Sequence, residues 1–129
     1  MEKTARPRVK VCCIASVDEA RLAVSLGASA LGLVSAMPSG PGVIDDATIA
    51  AVARAAPPSV ATFLLTCETE ADALIDQARR LAPSALQLVD AVAGPAVYAA
   101  LRAALPALKL VQVIHVRGAA SVDEARAAA

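Results

Sequence analysis

The sequence predicts an α/β fold in which repeated strand–helix units build a parallel sheet. Short apolar runs rich in β-branched residues alternate with alanine-rich segments of helical spacing. Helix-start residues stand at the junctions between the two kinds of segment. Alternating strands and helices of this kind are typical of parallel sheets with right-handed crossovers.

The composition limits the class of protein. The 129 residues suffice for one domain, which we expect to span 1–129 as a partial barrel. The 12 basic and 12 acidic side chains cancel, and 57% of the residues are hydrophobic. Nucleic-acid-binding chains usually carry a basic excess, and disordered chains combine low hydrophobicity with high net charge. The composition therefore excludes both classes and predicts a soluble globular domain that binds no nucleic acid.

The strands are predicted from runs that are apolar on both faces, as expected when helices cover one face of the sheet and a packed interior the other. The helices are predicted from the segments between these runs. The five predicted strands are Val9–Ile14, Ala30–Val34, Val60–Leu65, Ala85–Val89 and Leu110–Val116. The first four predicted helices are Val17–Leu26, Asp46–Ala56, Glu68–Leu81 and Pro95–Leu105.

Each of these helices has its own start signal. Ser16 and Glu19 have the spacing of a capping box. In this motif the Ser16 hydroxyl accepts a hydrogen bond from the Glu19 backbone N–H, and the Glu19 side chain reaches back to a backbone N–H at the start of the helix. Asp45 and Thr66 are the predicted N-caps of the second and third helices. Pro95 suits the first turn of the fourth helix, where its missing N–H costs nothing.

One seven-residue sequence, ASVDEAR, occurs at 15–21 and again at 120–126. Both copies follow an apolar run and both contain the capping-box pattern. The second copy predicts that the chain ends within a fifth helix. Reuse of a good helix start in an alanine-rich sequence and descent from a duplicated half explain the repeat equally well.

Two architectures fit the alternation: the doubly wound open sheet and the (β/α)₈ barrel. The glycine-rich phosphate loops of open sheets, G-x-G-x-x-G and G-x-x-x-x-G-K-[ST], are missing from the sequence. The first strand runs instead into Cys12 and Cys13. We therefore expect parallel units of the TIM-barrel type, with about five of the eight units present.

A membrane span, a disulfide framework and a metal site are not expected. The uncharged stretch Leu22–Ile44 is interrupted by glycine and proline, which break a continuous helix. Cys12, Cys13 and Cys67 lack C-x-x-C spacing, so no zinc site is predicted, and no cofactor motif occurs. The N-terminal ten residues carry basic side chains and no apolar stretch, which predicts a cytoplasmic protein without a secretory signal.

In both architectures the chemistry lies at the carboxyl ends of the strands. Because side chains alternate along a strand, only one of Cys12 and Cys13 can face the barrel interior, and the sequence does not decide which. The same alternation sets His115 and Gln112 on opposite faces. A rim position is expected for the histidine, the only one in the chain.

Four segments resemble, in order, strands of the phosphoribosylanthranilate isomerase family, a (β/α)₈ barrel of tryptophan biosynthesis. Val9–Ile14 resembles the first strand, K-[IV]-C-G-[IL], and Gly27–Val34 the second, G-A-D-A-x-G-F-V. Ala85–Val89 resembles the fourth strand, V-Q-L-H, and Leu110–Ile114 the fifth, V-I-K-A-I. The resemblance covers nearly the whole chain and implies the N-terminal part of the barrel, truncated or divergent.

The resemblance implies an isomerase without a cofactor that performs an Amadori rearrangement of N-(5′-phosphoribosyl)anthranilate. An acid opens the ribose ring, and a base removes the C2′ proton. Cys12 falls at the position of the base, a role that a thiolate can fill when its pKa lies near the operating pH. Lys10, Ser39, Gly42 and Gln87 are the candidate substrate contacts.

The sequence also departs from the family pattern. Cys13 stands where the family has glycine, and 40–42 reads Gly-Pro-Gly where the family loop carries an arginine for the anthranilate carboxylate. The family's acid ends a sixth strand and its phosphate loops follow the seventh and eighth, strands that this sequence does not contain. Asp90, after the fourth strand, is the one carboxylate placed to substitute for the acid.

These departures leave other functions open beside the isomerase. One alternative is a non-catalytic, truncated half-barrel. Another is a module that binds a small phosphosugar through its altered second loop. In each case the unpaired edges of an incomplete barrel favour association, so a homo-oligomer is expected.

Overall fold

The computed structural model describes residues 6–129, in which five strands alternate with five helices. Residues 1–5, part of the segment on which the expected cytoplasmic location rests, lie outside this range. The strands are β1 (Lys10–Val11), β2 (Ala30–Val34), β3 (Ala61–Thr66), β4 (Ala85–Leu88) and β5 (Lys109–Gln112). The helices are α1 (Val17–Ser25), α2 (Asp46–Ala55), α3 (Ala71–Leu81), α4 (Pro95–Ala104) and α5 (Ser121–Ala128).

The five strands form one parallel sheet in the order β1-β2-β3-β4-β5. Each strand therefore pairs with its sequence neighbour, and each connection returns through a helix, as in a sheet that curls toward a barrel. The register pairs Gly32 with Phe63, Leu65 with Gln87 and Leu88 with Gln112. The predicted α/β class with parallel strand–helix units is confirmed.

One face of the sheet packs against the helices. Its leucines are fully buried together with apolar residues of α1 to α4, and they form one continuous core. The strand residues in this layer are Leu31, Leu33, Leu64, Leu86 and Leu88. Because close-packed apolar surface gives most of the favourable free energy of folding, this layer holds the sheet together.

The opposite face, which we call the open face, is not covered by these helices. It carries Lys10, Phe63, Leu65 and Gln87, which are exposed or half-buried. Side chains alternate along a strand, so each open-face residue has a neighbour in sequence that faces the helices. The open face is the surface that becomes the interior in a closed barrel.

Three of the predicted helix starts are confirmed, and one of them is Pro95, the first residue of α4. Ser16 Oγ accepts a hydrogen bond of 3.1 Å from the Glu19 backbone N–H, and Glu19 Oε2 accepts one of 2.9 Å from the Ala15 N–H. Asp45 Oδ1 accepts a bond of 2.7 Å from the Thr48 N–H at the start of α2. Hydrogen bonds from the Thr48 side chain and from its backbone N–H lower the pKa of the Asp45 carboxyl, because they favour the charged form.

Two other predicted starts are wrong. Thr66 is the last residue of β3, and Glu70 is the N-cap of α3 without a side-chain cap bond. The second copy of the repeat does not reproduce the first, because a turn at 118–120 precedes α5 and makes Ala120 its N-cap. Ser121 thus lies inside the helix, where its Oγ accepts a bond of 3.1 Å from the Arg117 N–H.

The two edge strands are shorter than predicted. β1 ends early because the backbone at Cys13 turns into the left-handed region, with φ of 59°. β5 ends at Gln112, although the apolar run continues to Val116. Within the described range no helix is long and apolar enough to cross a membrane.

Candidate active site at the carboxyl ends of the strands

Cys12 lies on the open face, just beyond β1. It shares the strand parity of Lys10, and its thiol rests over Gly32 of the neighbouring strand β2. A Cβ atom on Gly32 would lie 2.7 Å from Cys12 Sγ and 3.0 Å from Cys12 Cα, so no larger residue fits there unless the cysteine moves. The structure thus decides between the two cysteines: Cys12, which is exposed, faces the side expected to carry the chemistry.

Cys13 does not continue the strand. Its left-handed φ of 59° turns the side chain toward the loop after β2, where Sγ lies 3.7 Å from the carbonyl oxygen of Pro41. A Cβ on Gly42 would lie 2.5 Å from Cys13 Cβ, so this glycine makes room for the second cysteine. Partial burial raises the pKa of the Cys13 thiol, and the adjacent Cys12 and the carboxylate of Glu19 raise it further.

Lys10 reaches across the open face. Its Nζ lies 4.8 Å from the centroid of the Phe63 ring and donates a hydrogen bond to Gln87 Oε1. The side chain passes over β2, where Ala30 and Gly32 present little or no side chain. Two predicted substrate contacts, Lys10 and Gln87, are thereby brought together, although they belong to strands that are not adjacent.

Sequence reasoning missed Phe63, the only phenylalanine in the chain. Its ring faces the ammonium of Lys10, and a cation over an aromatic ring is attracted by the ring's negative face. Parity within β3 places Phe63 opposite the buried Leu64, but parity alone does not show that it meets β1. Only the register between strands reveals this contact.

The loop between β2 and α2 carries the other two predicted contacts. Ser39 is exposed at the loop's tip, and its side chain makes no hydrogen bond to any described residue. Gly42, with φ of 83°, packs against Cys13 as described. On the far side of the same loop, Cys67 Sγ lies 3.5 Å from the Ala36 carbonyl oxygen. The loop is therefore flanked by two thiols and, across 36–42, carries no basic side chain.

Asp90, the predicted substitute acid, follows β4 and is exposed. Its backbone carbonyl accepts a hydrogen bond of 3.0 Å from Gln112 Nε2, while its carboxylate has no hydrogen-bond partner within 6–129. β2 and β3 separate it from Cys12, which amounts to about 14 Å along a sheet with strands about 4.8 Å apart. The structure does not bring Asp90 and Cys12 into contact, and the acid role stays a prediction.

At the end of β5, the side chains of Gln112 and His115 form hydrogen bonds with backbone carbonyl groups of neighbouring segments. Gln112 faces the helix layer, where Oε1 accepts a bond of 2.8 Å from Tyr98 Oη and Nε2 donates to the Leu88 carbonyl at 3.1 Å. His115 lies beyond β5, exposed, with Nε2 3.0 Å from the Val89 carbonyl oxygen. The residues at 6–129 include no group of three His, Cys, Asp or Glu side chains arranged to hold a metal ion.

Comparison with known proteins gives relatives in both sequence and structure, although no protein-family model matches the chain. N-(5′-phosphoribosyl)anthranilate isomerase of Halobacterium salinarum is 34% identical over 106 residues, which are 81% of this chain and 49% of the relative. The chain thus spans about half the length of the curated relatives that it matches.

Solved structures of the same name share the fold. Phosphoribosylanthranilate isomerase in complex with reduced 1-(o-carboxyphenylamino)-1-deoxyribulose 5-phosphate superposes with a TM-score of 0.76 at 22% identity, covering 93% of this chain and 59% of that one. Monomers generated from the dimeric Thermotoga maritima protein give a TM-score of 0.76 at 21% identity over the same shares. The partial sheet therefore has the architecture of a TIM-barrel-type α/β protein.

Proposed function

The chain belongs to the phosphoribosylanthranilate isomerase family, and from that premise we propose that it acts on a phosphorylated, anthranilate-type aminosugar with Cys12 as the general base. The reaction is the Amadori rearrangement of N-(5′-phosphoribosyl)anthranilate, part of tryptophan biosynthesis. The observation that carries the proposal is the exposed Cys12 thiol on the open face, seated over Gly32.

Cys12 has the access that a base needs. A base must come within hydrogen-bond reach of the proton that it removes, and the missing side chain at Gly32 leaves the thiol flat against the sheet rather than displaced outward. As a thiolate it takes the C2′ proton of the ring-opened iminium ion, and the electron pair of the C–H bond neutralises the iminium nitrogen. The resulting enol then yields the ketose product.

Lys10 supplies a positive charge on the same face. The ring of Phe63 and the amide of Gln87 hold its ammonium in one place, so less side-chain entropy is lost when it binds an anion. We propose that it contacts an anionic group of the substrate, and that Ser39 and Gly42 form the wall of the site on the loop after β2. The crystal structure of a relative with a bound 5-phosphate compound supports a phosphorylated ligand of this size.

Asp90 is proposed as the acid that protonates the ribose ring oxygen. The ring oxygen and C2′ lie close together in one sugar, so acid and base must approach each other across the site. The distance of about 14 Å along the sheet is larger than this requires, and only curvature of the sheet shortens it. Asp90 is for that reason tested separately from Cys12.

We also propose that the chain self-associates through its sheet edges and acts in the cytoplasm. β1 and β5 each pair on one side only within the described sheet, which leaves backbone donors and acceptors free for another strand. A related protein from Thermotoga maritima is dimeric. Light scattering of the purified chain tests this proposal, and a monodisperse monomer contradicts it.

The test of the activity uses the fluorescence of the anthranilate group. We expect the purified 129-residue chain to consume N-(5′-phosphoribosyl)anthranilate and Cys12→Ala to lower kcat about 10²- to 10⁴-fold, the usual contribution of a general base. Cys67→Ala is the matched control, because Cys67 lies on the far side of the loop. Asp90→Asn should lower kcat to a similar extent if it is the acid.

Two outcomes overturn parts of the proposal. Equal activity of Cys12→Ala and the unmodified chain removes Cys12 from the mechanism. No consumption by the chain, together with saturable binding of a phosphorylated sugar in a thermal-shift assay, favours the binding module. The absence of both turnover and binding favours the non-catalytic half-barrel.

A further inference from the structure

Cys12 and Cys13 are consecutive in the sequence, and their thiols lie in different surroundings. Cys12 is exposed and lies over Gly32, while Cys13 is half-buried and lies against Gly42. Each cysteine thus has its own glycine, at which a Cβ would come within 2.7 Å of the respective sulfur atom. The positions of both thiols depend on the absence of a side chain at 32 and 42.

The backbone at Cys13 is also strained. A residue other than glycine rarely adopts the left-handed region, because its Cβ lies too close to the following carbonyl oxygen, and Cys13 adopts φ of 59° there. Strain of this kind persists where the surrounding structure enforces it, and it clusters at functional sites. The turn at Cys13 takes the second thiol off the strand direction and toward the carbonyl oxygen of Pro41, 3.7 Å away. The two thiols nevertheless stay close enough to hydrogen-bond to each other.

A direct disulfide between the two cysteines does not suit this geometry. Neighbouring Cα atoms across a trans peptide are about 3.8 Å apart, whereas disulfides usually join Cα atoms about 4.4–6.8 Å apart. The eight-membered ring of such a disulfide is strained and easily reduced. A single atom bridging the two sulfurs lengthens the link and relieves this strain, so a chelated ligand atom suits the pair better than a disulfide.

We propose that Cys12 and Cys13 form a bidentate site for a trivalent arsenical, a soft ligand that binds two thiols through one pyramidal atom. Soft thiolates select soft ligand atoms, and the described residues offer no third group for a metal ion. In the reaction an organic arsenoxide, R–As=O, loses its oxygen and forms two As–S bonds. The two thiol protons leave with that oxygen as one water, and arsenic stays trivalent, so neither an oxidant nor a reductant is needed.

Occupation of this site blocks Cys12. An As–S bond to Cys12 leaves no thiolate to take a proton, and the arsenic substituent projects over the open face. The effect on catalysis rests on the proposed function, whereas binding itself does not. The two statements can therefore fail separately.

The experiment treats the reduced chain with equimolar phenylarsine oxide and measures the intact mass after a wash with excess monothiol. One adduct per chain should survive the monothiol and be removed by 2,3-dimercaptopropanol. Cys12→Ser and Cys13→Ser should each lower the surviving adduct at least about tenfold, because the second bond is no longer intramolecular. Cys67→Ser, the matched control, should keep it.

Loss of the adduct in Cys67→Ser, or its survival in Cys13→Ser, overturns the proposal. Cys13→Gly guards against misfolding, because glycine accepts the left-handed backbone, and it should lose the adduct while its circular dichroism is unchanged. If the adduct forms as expected but the untreated chain turns over no substrate, the arsenical site stands and the proposed isomerase activity fails. Turnover without an adduct gives the opposite result.

Discussion

The two faces of the five-stranded sheet differ more than any two elements of the chain. On the helix face, Leu64 is fully buried in the core shared with α1 to α4. On the open face, the next residue, Leu65, is half-buried and pairs in register with Gln87. A single peptide bond thus separates a position that stabilises the fold from one that borders the candidate site.

The contrast also appears in the residue types. The helix face of β2 to β4 is leucine-rich, whereas the open face combines glycine, phenylalanine, glutamine and a lysine that reaches in from β1. Leucines pack to high density and favour one arrangement. Glycine and polar side chains leave space and hydrogen-bonding groups for a ligand. Stability and chemistry are therefore divided between two sides of the same strands.

The largest expected effect comes from truncating the helix face. Leu64→Ala should lower the free energy of unfolding by about 2–5 kcal/mol, since it leaves a cavity in a packed core. Leu65→Ala, one residue away, should lower it by about 1 kcal/mol, because Leu65 already contacts solvent. Urea denaturation of both variants measures the difference, and equal losses would show that the two faces are packed alike.

A smaller effect is expected where the open face is crowded. Gly32→Ala should lower the free energy of unfolding by about 1–3 kcal/mol, the usual cost of overpacking, because its Cβ would lie 2.7 Å from Cys12 Sγ. Gly118→Ala is the control, since nothing lies within 4 Å of a Cβ there. Adding Cys12→Ala to Gly32→Ala should recover part of the loss, and no recovery would mean that the thiol is not the obstacle.

The smallest effect concerns the contact between Lys10 and Phe63. A double-mutant cycle with Lys10→Met and Phe63→Leu should give a coupling free energy of about 0.5–1 kcal/mol, typical of an exposed cation over an aromatic ring. Phe63→Tyr keeps the ring and should preserve the coupling. A coupling of zero would mean that Gln87 alone holds the lysine in position.

The fold could be predicted well from the sequence wherever an element carries its own signal. β2 was expected at Ala30–Val34 and has those bounds, because glycine precedes it and the run is apolar throughout. The starts of α1 and α2 follow from Ser16 and Asp45, whose side chains cap the backbone next to them. Such local hydrogen bonds need no knowledge of the rest of the fold.

Features that depend on contacts between distant parts of the chain were predicted wrongly or could not be predicted from the sequence. The apolar run to Val116 predicts a long β5, but a strand ends where its partner stops offering hydrogen bonds, here after Leu88 of β4. The convergence of Lys10, Phe63 and Gln87 depends on the register between strands, which no single strand encodes. The resemblance to a family supplied Cys12, while its orientation follows from the strand parity that it shares with Lys10 and from the register of β1 with β2.

That turn at Cys13 also has a consequence for the gene. Cysteine codons TGT and TGC differ from the glycine codons GGT and GGC at the first base only, so one T-to-G change yields the residue type that the left-handed backbone favours. The strain can therefore disappear in a single mutational step without any change in the neighbouring strand. Such a change removes the second thiol and leaves the first, so it separates a use of Cys12 alone from a use of both sulfur atoms.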